Sequence, residues 1–163
     1  MKYSFISIEG NIGSGKTTLL KIIIGLTKQT KGEFINHNED KVCFLGHKNN
    51  LKNYLSIRDN LMIQGLKLDS FNLDLLEKFN LRRHIDNSVG TLSFGQQKKL
   101  SLIRVLNSDE NILILDEPFV GLDQNSKEFL KDFMEAEVKK NKTIIFTSHI
   151  DFKDDYREIK ING

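Results

Sequence analysis

Gly10-Asn11-Ile12-Gly13-Ser14-Gly15-Lys16-Thr17-Thr18 has the residue types and spacing of a phosphate cradle. The three glycines let backbone N–H groups turn inward around phosphate oxygens, and a helix opening at Lys16 adds the positive end of its dipole. In such a loop the lysine reaches the β- and γ-phosphates of a nucleotide, and the following hydroxyl, here Thr17, ligates Mg²⁺. The nine residues fit the P-loop pattern, which requires a strand before it and a helix after it. A second candidate is Ile112-Leu113-Ile114-Leu115-Asp116-Glu117, an apolar run that ends in two adjacent carboxylates. Alone it reads equally well as a buried strand with a solvated acidic end. Downstream of a P-loop it reads as the strand whose aspartate, Asp116, holds Mg²⁺, with Glu117 as general base toward an attacking water.

These groups need elements to carry them. The alternating segment Tyr3 to Ile8 predicts a strand leading into the loop, and Lys16 to Leu26 a helix leaving it. Thr30 to Ile35 and Val42 to Leu45 predict two further strands. From Asn49 to Asn107 the pattern becomes helical and polar-interrupted, with helices expected over Ile57 to Gly65, Leu73 to Phe79 and Gln96 to Leu106. Asn111 to Leu115 and Thr143 to Thr147 are apolar strands, Ser126 to Lys139 is an amphipathic helix, and Arg157 to Asn162 adds a last strand. Apolar strands alternating with helices predict an α/β fold whose parallel sheet is covered on both faces.

The 163 residues suffice for one domain with a real core. A net charge of +2 gives no broad basic field, so no nucleic-acid partner is expected. No run approaches the roughly 18 apolar residues that span a bilayer, and the start lacks the layout of a signal peptide. Cys43, the single cysteine, reads as a small core residue. His37 and His84 read as surface residues, because no metal-ligand spacing joins them.

The most specific stretch is Leu92-Ser93-Phe94-Gly95-Gln96, which resembles the LSGGQ signature of ABC ATPases, with Phe94 in place of the first glycine. On its own residues, Ser93 is an N-cap for the helix that follows, at the positive end of that helix. Gly121-Leu122-Asp123 resembles the D-loop of that family, and His149, in Thr-Ser-His, resembles its switch histidine. With the P-loop and the acidic strand end, the resemblance runs from Phe5 to His149 with the motifs in family order.

The resemblance implies a P-loop NTPase of ABC ATPase type: one domain over 1–163, a parallel-sheet core with a helical subdomain at about 49–107, and the N-terminal antiparallel β-layer largely missing. It implies ATP and Mg²⁺ as cofactors. ATP contacts are implied for Gly10, Asn11, Ile12, Gly13, Ser14, Gly15, Lys16, Thr17 and Thr18, and for Ser93, Gly95 and Gln96 of a second copy. Thr17 and Asp116 are the implied metal ligands, and Glu117, His149 and His47 the implied catalytic group. It also implies a head-to-tail homodimer in the ATP-bound state and separate transmembrane permease subunits. The chain is then expected to sit peripherally on the inner face of a bacterial cytoplasmic or mitochondrial inner membrane.

Three departures stand out. The family's adenine-stacking aromatic has no counterpart, since Tyr3 lies too close to the P-loop. His47 stands where the family has the Q-loop glutamine; histidine still hydrogen-bonds, and its charge can change near neutral pH. Phe94 puts a ring where glycine approaches phosphate. The segment from Gly46-His47 to Leu55-Ser56-Ile57-Arg58-Asp59-Asn60-Leu61 resembles one subgroup, the ATP-binding subunits of cytochrome c maturation, linked with heme export. A soluble ABC ATPase acting on ribosomes or DNA, the ATPase of another small transporter, and a non-catalytic nucleotide-binding subunit stay open as alternatives.

Overall fold

The computed structural model describes residues 5–10, 15–31, 41–148 and 157–161. The expected loop residues Asn11 to Ser14, Tyr3, His37, His149 and most of the Thr30 to Ile35 strand lie outside them. The chain divides into two compact units. One comprises 1–47, 109–118 and 134–163, and the other 48–108 and 119–133.

The first unit is built on a five-stranded sheet of β1 (Phe5–Gly10), β2 (Val42–Leu45), β3 (Ile112–Leu115), β4 (Thr143–Thr147) and β5 (Arg157–Ile161). The order is β2-β3-β4-β1-β5, and every pair is parallel. Leu113, Ile114 and Leu115 are all buried, as expected of a parallel strand covered on both faces. Helix α1 (Lys16–Ile23) covers one face: Leu19, Leu20, Ile23 and Ile24 pack with Ile8, Val42, Phe44, Ile112, Ile114 and Ile145. On the other face, the rings of Phe5 and Phe146 lie 5.1 Å apart.

Helix α1 ends three residues before the expected Leu26. Gly25 takes φ 74, its N–H donates to the Ile22 carbonyl, and the Leu26 N–H donates to the Lys21 carbonyl. That left-handed closure satisfies the last carbonyls of the helix and turns the chain away.

In the second unit the helices are α2 (Ile57–Ile63), α3 (Ser70–Lys78), α4 (Phe94–Leu106) and the first part of α5 (Gln124–Lys139). Side-chain caps set their starts. Ser56 and Asp59 form a capping box on α2, Asp69 accepts the Asn72 N–H on α3, and Ser93 and Gln96 form a second box on α4. The caps explain why α3 and α4 begin earlier than the apolar periodicity suggests. Buried Asn60 pins the segment before α2, accepting the Lys52 N–H at 2.8 Å and donating to the carbonyls of Lys52 and Ser56. Phe79 meets Phe129 edge-on at 5.7 Å, with the Lys78 ammonium 4.6 Å from the Phe129 centroid.

Back in the first unit, the turn from α5 to β4 is held by Glu137, which bonds Lys140 and Lys142, each at 2.6 Å. Burial pushes its carboxyl up, but the two lysine hydrogen bonds outweigh burial and leave it below the usual range.

Candidate functional site

The chemistry-bearing residues of the first unit converge where β3 and β4 end and α1 begins. Register explains this. Leu115 pairs with Phe146, so the next residues, Asp116 and Thr147, come side by side. The pleat alternates them onto the same face as Ile114 and Ile145, the face that α1 covers. Thr17, at the second position of α1, meets them there.

Thr17 Oγ1 donates to Asp116 Oδ2 at 2.8 Å, and Thr147 Oγ1 donates to Asp116 Oδ1 at 2.8 Å. Asp116 is 1% exposed, and its N–H donates to the Leu45 carbonyl at 2.7 Å, extending the pairing of β2 and β3. A buried carboxylate is tolerated because both oxygens have donors. Lys16 is also buried, at the N-terminal turn of α1. Gly15 precedes it at φ 87, a conformation that favours glycine.

Glu117 follows Asp116 in a left-handed conformation, φ 47. Among the described residues, the other non-glycine residues with positive φ are Asn50, Asn80 and Asn141, a type that tolerates it. Glu117 is not that type. It also precedes Pro118, which favours an extended neighbour. Strain of this kind costs about 1–3 kcal/mol and persists where the surroundings over-determine it. Here the Glu117 N–H is held by Thr147 Oγ1 at 2.8 Å. Its carboxylate Oε2 lies 4.0 Å from Nδ1 of the exposed His47.

Thr17, Asp116, Glu117 and His47 are thus brought together, with Gly10, Gly15, Lys16 and Thr18 at the flanks of the same loop. One hydroxyl and one carboxylate suit Mg²⁺, which keeps several waters and takes its other oxygens from substrate phosphates. Thr147 was read from the sequence only as a strand residue. Its hydroxyl, buried between the Asp116 carboxylate and the Glu117 N–H, is a functional group that the strand pattern does not mark.

The signature residues belong to the second unit. The Gln96 N–H donates to Ser93 Oγ at 3.3 Å, and the Ser93 N–H donates to Gln96 Oε1 at 2.8 Å, so both side chains cap α4. The Phe94 ring, half-exposed, does not turn away from its surroundings. It covers Gly121, whose missing Cβ would lie 2.9 Å from Cδ1 and Cε1 of that ring. A Cβ on Gly95 would overlap the Gly121 carbonyl oxygen.

Buried Lys99 on α4 pairs with Asp123, which also accepts the Ser126 N–H at 2.9 Å at the start of α5. The Lys99 hydrogen bond first, and the Ser126 N–H second, lower the Asp123 carboxyl from its ordinary 3.8 to about 2. A carboxyl lowered by folding stabilises fully above its unfolded value and loses that contribution as pH falls through its folded value. The stability difference between wild type and Asp123→Asn is therefore expected to be full above about pH 4, to shrink as pH falls and to be lost below about pH 2. Urea denaturation across this range checks it; a gap independent of pH would contradict it.

The ABC transporter family profile matches residues 2–120. The cytochrome c biogenesis ATP-binding export protein CcmA of Histophilus somni (strain 129Pt) is 37% identical over 160 residues, covering 89% of this chain and 74% of its own. CcmA of Legionella pneumophila (strain Lens) is 32% identical over 168 residues, covering 94% and 84%. Among solved structures, the ATP-binding cassette MJ0796, in a dimeric post-hydrolysis state bound to ADP and Pi, matches with a TM-score of 0.71 at 26% identity, covering 90% of this chain and 75% of that one. An ATP-binding subunit of an ABC transporter shares the fold, with a TM-score of 0.74 at 24% identity, covering 90% and 68%. With the P-loop flanks, the adjacent strand-end carboxylates and the capped signature helix in one chain, this protein belongs to the ABC transporter family, as an ATP-binding ATPase subunit similar to CcmA.

Proposed function

We propose that this chain is the motor of a transporter in cytochrome c biogenesis, and that it powers heme export through separate membrane-spanning subunits. Residues 1–163 act as one ABC ATPase domain with the helical segment at about 49–107 inserted in it. Two copies close head to tail, each ATP lying between residues 10–18 of one copy and Ser93, Gly95 and Gln96 of the other. Lys16 orients the β- and γ-phosphates, and Thr17 and Asp116 hold Mg²⁺. The ion supplies neutralisation of the charge that develops on the phosphates. Glu117 takes the proton from the attacking water as the bond from the γ-phosphorus to ADP breaks. His47, standing in for the family's glutamine, and His149 position that water.

The observation that carries the catalytic reading is the pairing of Thr17 with Asp116 beside Glu117 in its left-handed conformation. The heme assignment is supported by the CcmA relatives and by the Gly46-His47 to Leu61 segment. Among the described residues no helix is long and apolar enough to cross a membrane, which accords with peripheral attachment through partners.

The test is to trap Glu117→Gln with MgATP in native membranes, cross-link it and identify what is attached. Heme-handling permease subunits are expected. Other permeases would overturn the heme assignment, and attachment to ribosomes would overturn the transporter role.

A further inference from the structure

We infer that Thr147 is a positioning residue for ATP hydrolysis, a single hydroxyl that clasps both carboxylate-bearing residues into working geometry. The inference rests on the reading of Asp116 as ion ligand and Glu117 as base. A threonine hydroxyl has one proton and two acceptor sites. Here the proton goes to Asp116 Oδ1 at 2.8 Å, and an acceptor site takes the Glu117 N–H at 2.8 Å. Thr17 occupies the other Asp116 oxygen, so the carboxylate is held at both ends and cannot rotate.

The second bond acts on Glu117 through its backbone. At φ 47 before a proline, Glu117 holds a backbone conformation that its residue type and its chain neighbour disfavour. The Thr147 hydroxyl fixes its N–H, and with it the direction in which the carboxylate leaves the chain. Thr147 itself is fixed, since it ends the central strand β4, has a β-branched side chain and is fully buried. A strand needing only apolar burial here would be served by valine; the hydroxyl is what reaches the two acidic residues. The same strand leads, two residues on in sequence, to His149.

The experiment measures steady-state MgATP turnover and ATP binding for Thr147→Val, Thr147→Ala and Thr147→Ser in the full chain, beside Glu117→Gln, with the melting temperature of each. Misplacing a reacting group by about 1 Å can cost on the order of 100-fold. Thr147→Val and Thr147→Ala are expected to lower kcat about 10- to 100-fold with KM for ATP little changed. Thr147→Ser, which keeps the hydroxyl, recovers most of the loss.

Wild-type kcat in Thr147→Val or Thr147→Ala would overturn the inference. So would a loss in Thr147→Ser equal to that in Thr147→Val, because the methyl group would then be what matters. Either result, beside an inactive Glu117→Gln, defeats Thr147 alone. An active Glu117→Gln defeats the catalytic reading, and this inference with it.

Discussion

Replacing Glu117 by glutamine is expected to slow ATP turnover by about 10²- to 10⁴-fold while leaving ATP binding intact. The amide keeps the size and shape of the side chain but cannot take a proton from water. The hydrogen bonds that hold Asp116 and the Glu117 backbone are kept, and the contact of the Glu117 carboxylate with His47 is weakened. The Thr147 bond goes to the Glu117 backbone, and the bonds of Asp116 to Thr17 and Thr147 do not involve Glu117. The left-handed backbone is indifferent to the exchange, since glutamine pays the same strain there. Phosphate release and nucleotide binding, measured on the same preparation, separate the two effects. Turnover at the wild-type rate would remove Glu117 as the base and shift the task to another group.

Gly95→Ala is expected to have the largest structural effect in the second unit. Its Cβ would overlap the Gly121 carbonyl oxygen, a backbone atom that cannot swing aside like a side-chain tip. Gly121 is in turn confined by its own φ of 78 and by the Phe94 ring over it. Relief must come from moving the start of α4 or the 119–123 segment. The first strains the Ser93–Gln96 capping box, and the second strains the Lys99–Asp123 pair. Overpacking of this kind costs about 1–3 kcal/mol, and a chain of this size loses roughly 2–4 °C of Tm per kcal/mol. On the proposed dimer, turnover falls as well, because the displaced residues are those offered to the second copy's ATP, while binding at residues 10–18 survives. A melting temperature equal to wild type would show that the approach of α4 to Gly121 is looser than described.

The strands were the most legible part of the chain. Val42 to Leu45 and Thr143 to Thr147 are apolar runs bounded by polar residues, and they occupy the expected residues. Helix ends were less so, because hydrogen bonds at the termini decide them rather than apolar spacing. Gly25 ends α1 and Asp69 starts α3, and apolar spacing alone passed over both. Thr17 and Asp116, the two metal ligands that the resemblance implied, are 99 apart in sequence and share a hydrogen bond in the fold.

Thr147 was not legible, because a threonine closing an apolar strand looks like ordinary β-propensity. Its partners are set by the register of β3 against β4, which no local pattern encodes. The direction of Phe94 depends likewise on where Gly121 comes to lie. The family resemblance implied an ATP contact at Gly95; the fold adds that no side chain fits there.

The most direct test of the account is ATP hydrolysis by the purified chain as Mg²⁺ is titrated in, with Thr17→Val beside wild type. Release of ADP and phosphate is expected to require Mg²⁺ in the wild type and to collapse in Thr17→Val, which loses both the implied ion ligand and the donor to Asp116. Binding of ATP without turnover at any Mg²⁺ concentration would make this a nucleotide-binding subunit without a working catalytic site. Equal turnover in Thr17→Val would mean that the Thr17–Asp116 pair is not where the chemistry occurs.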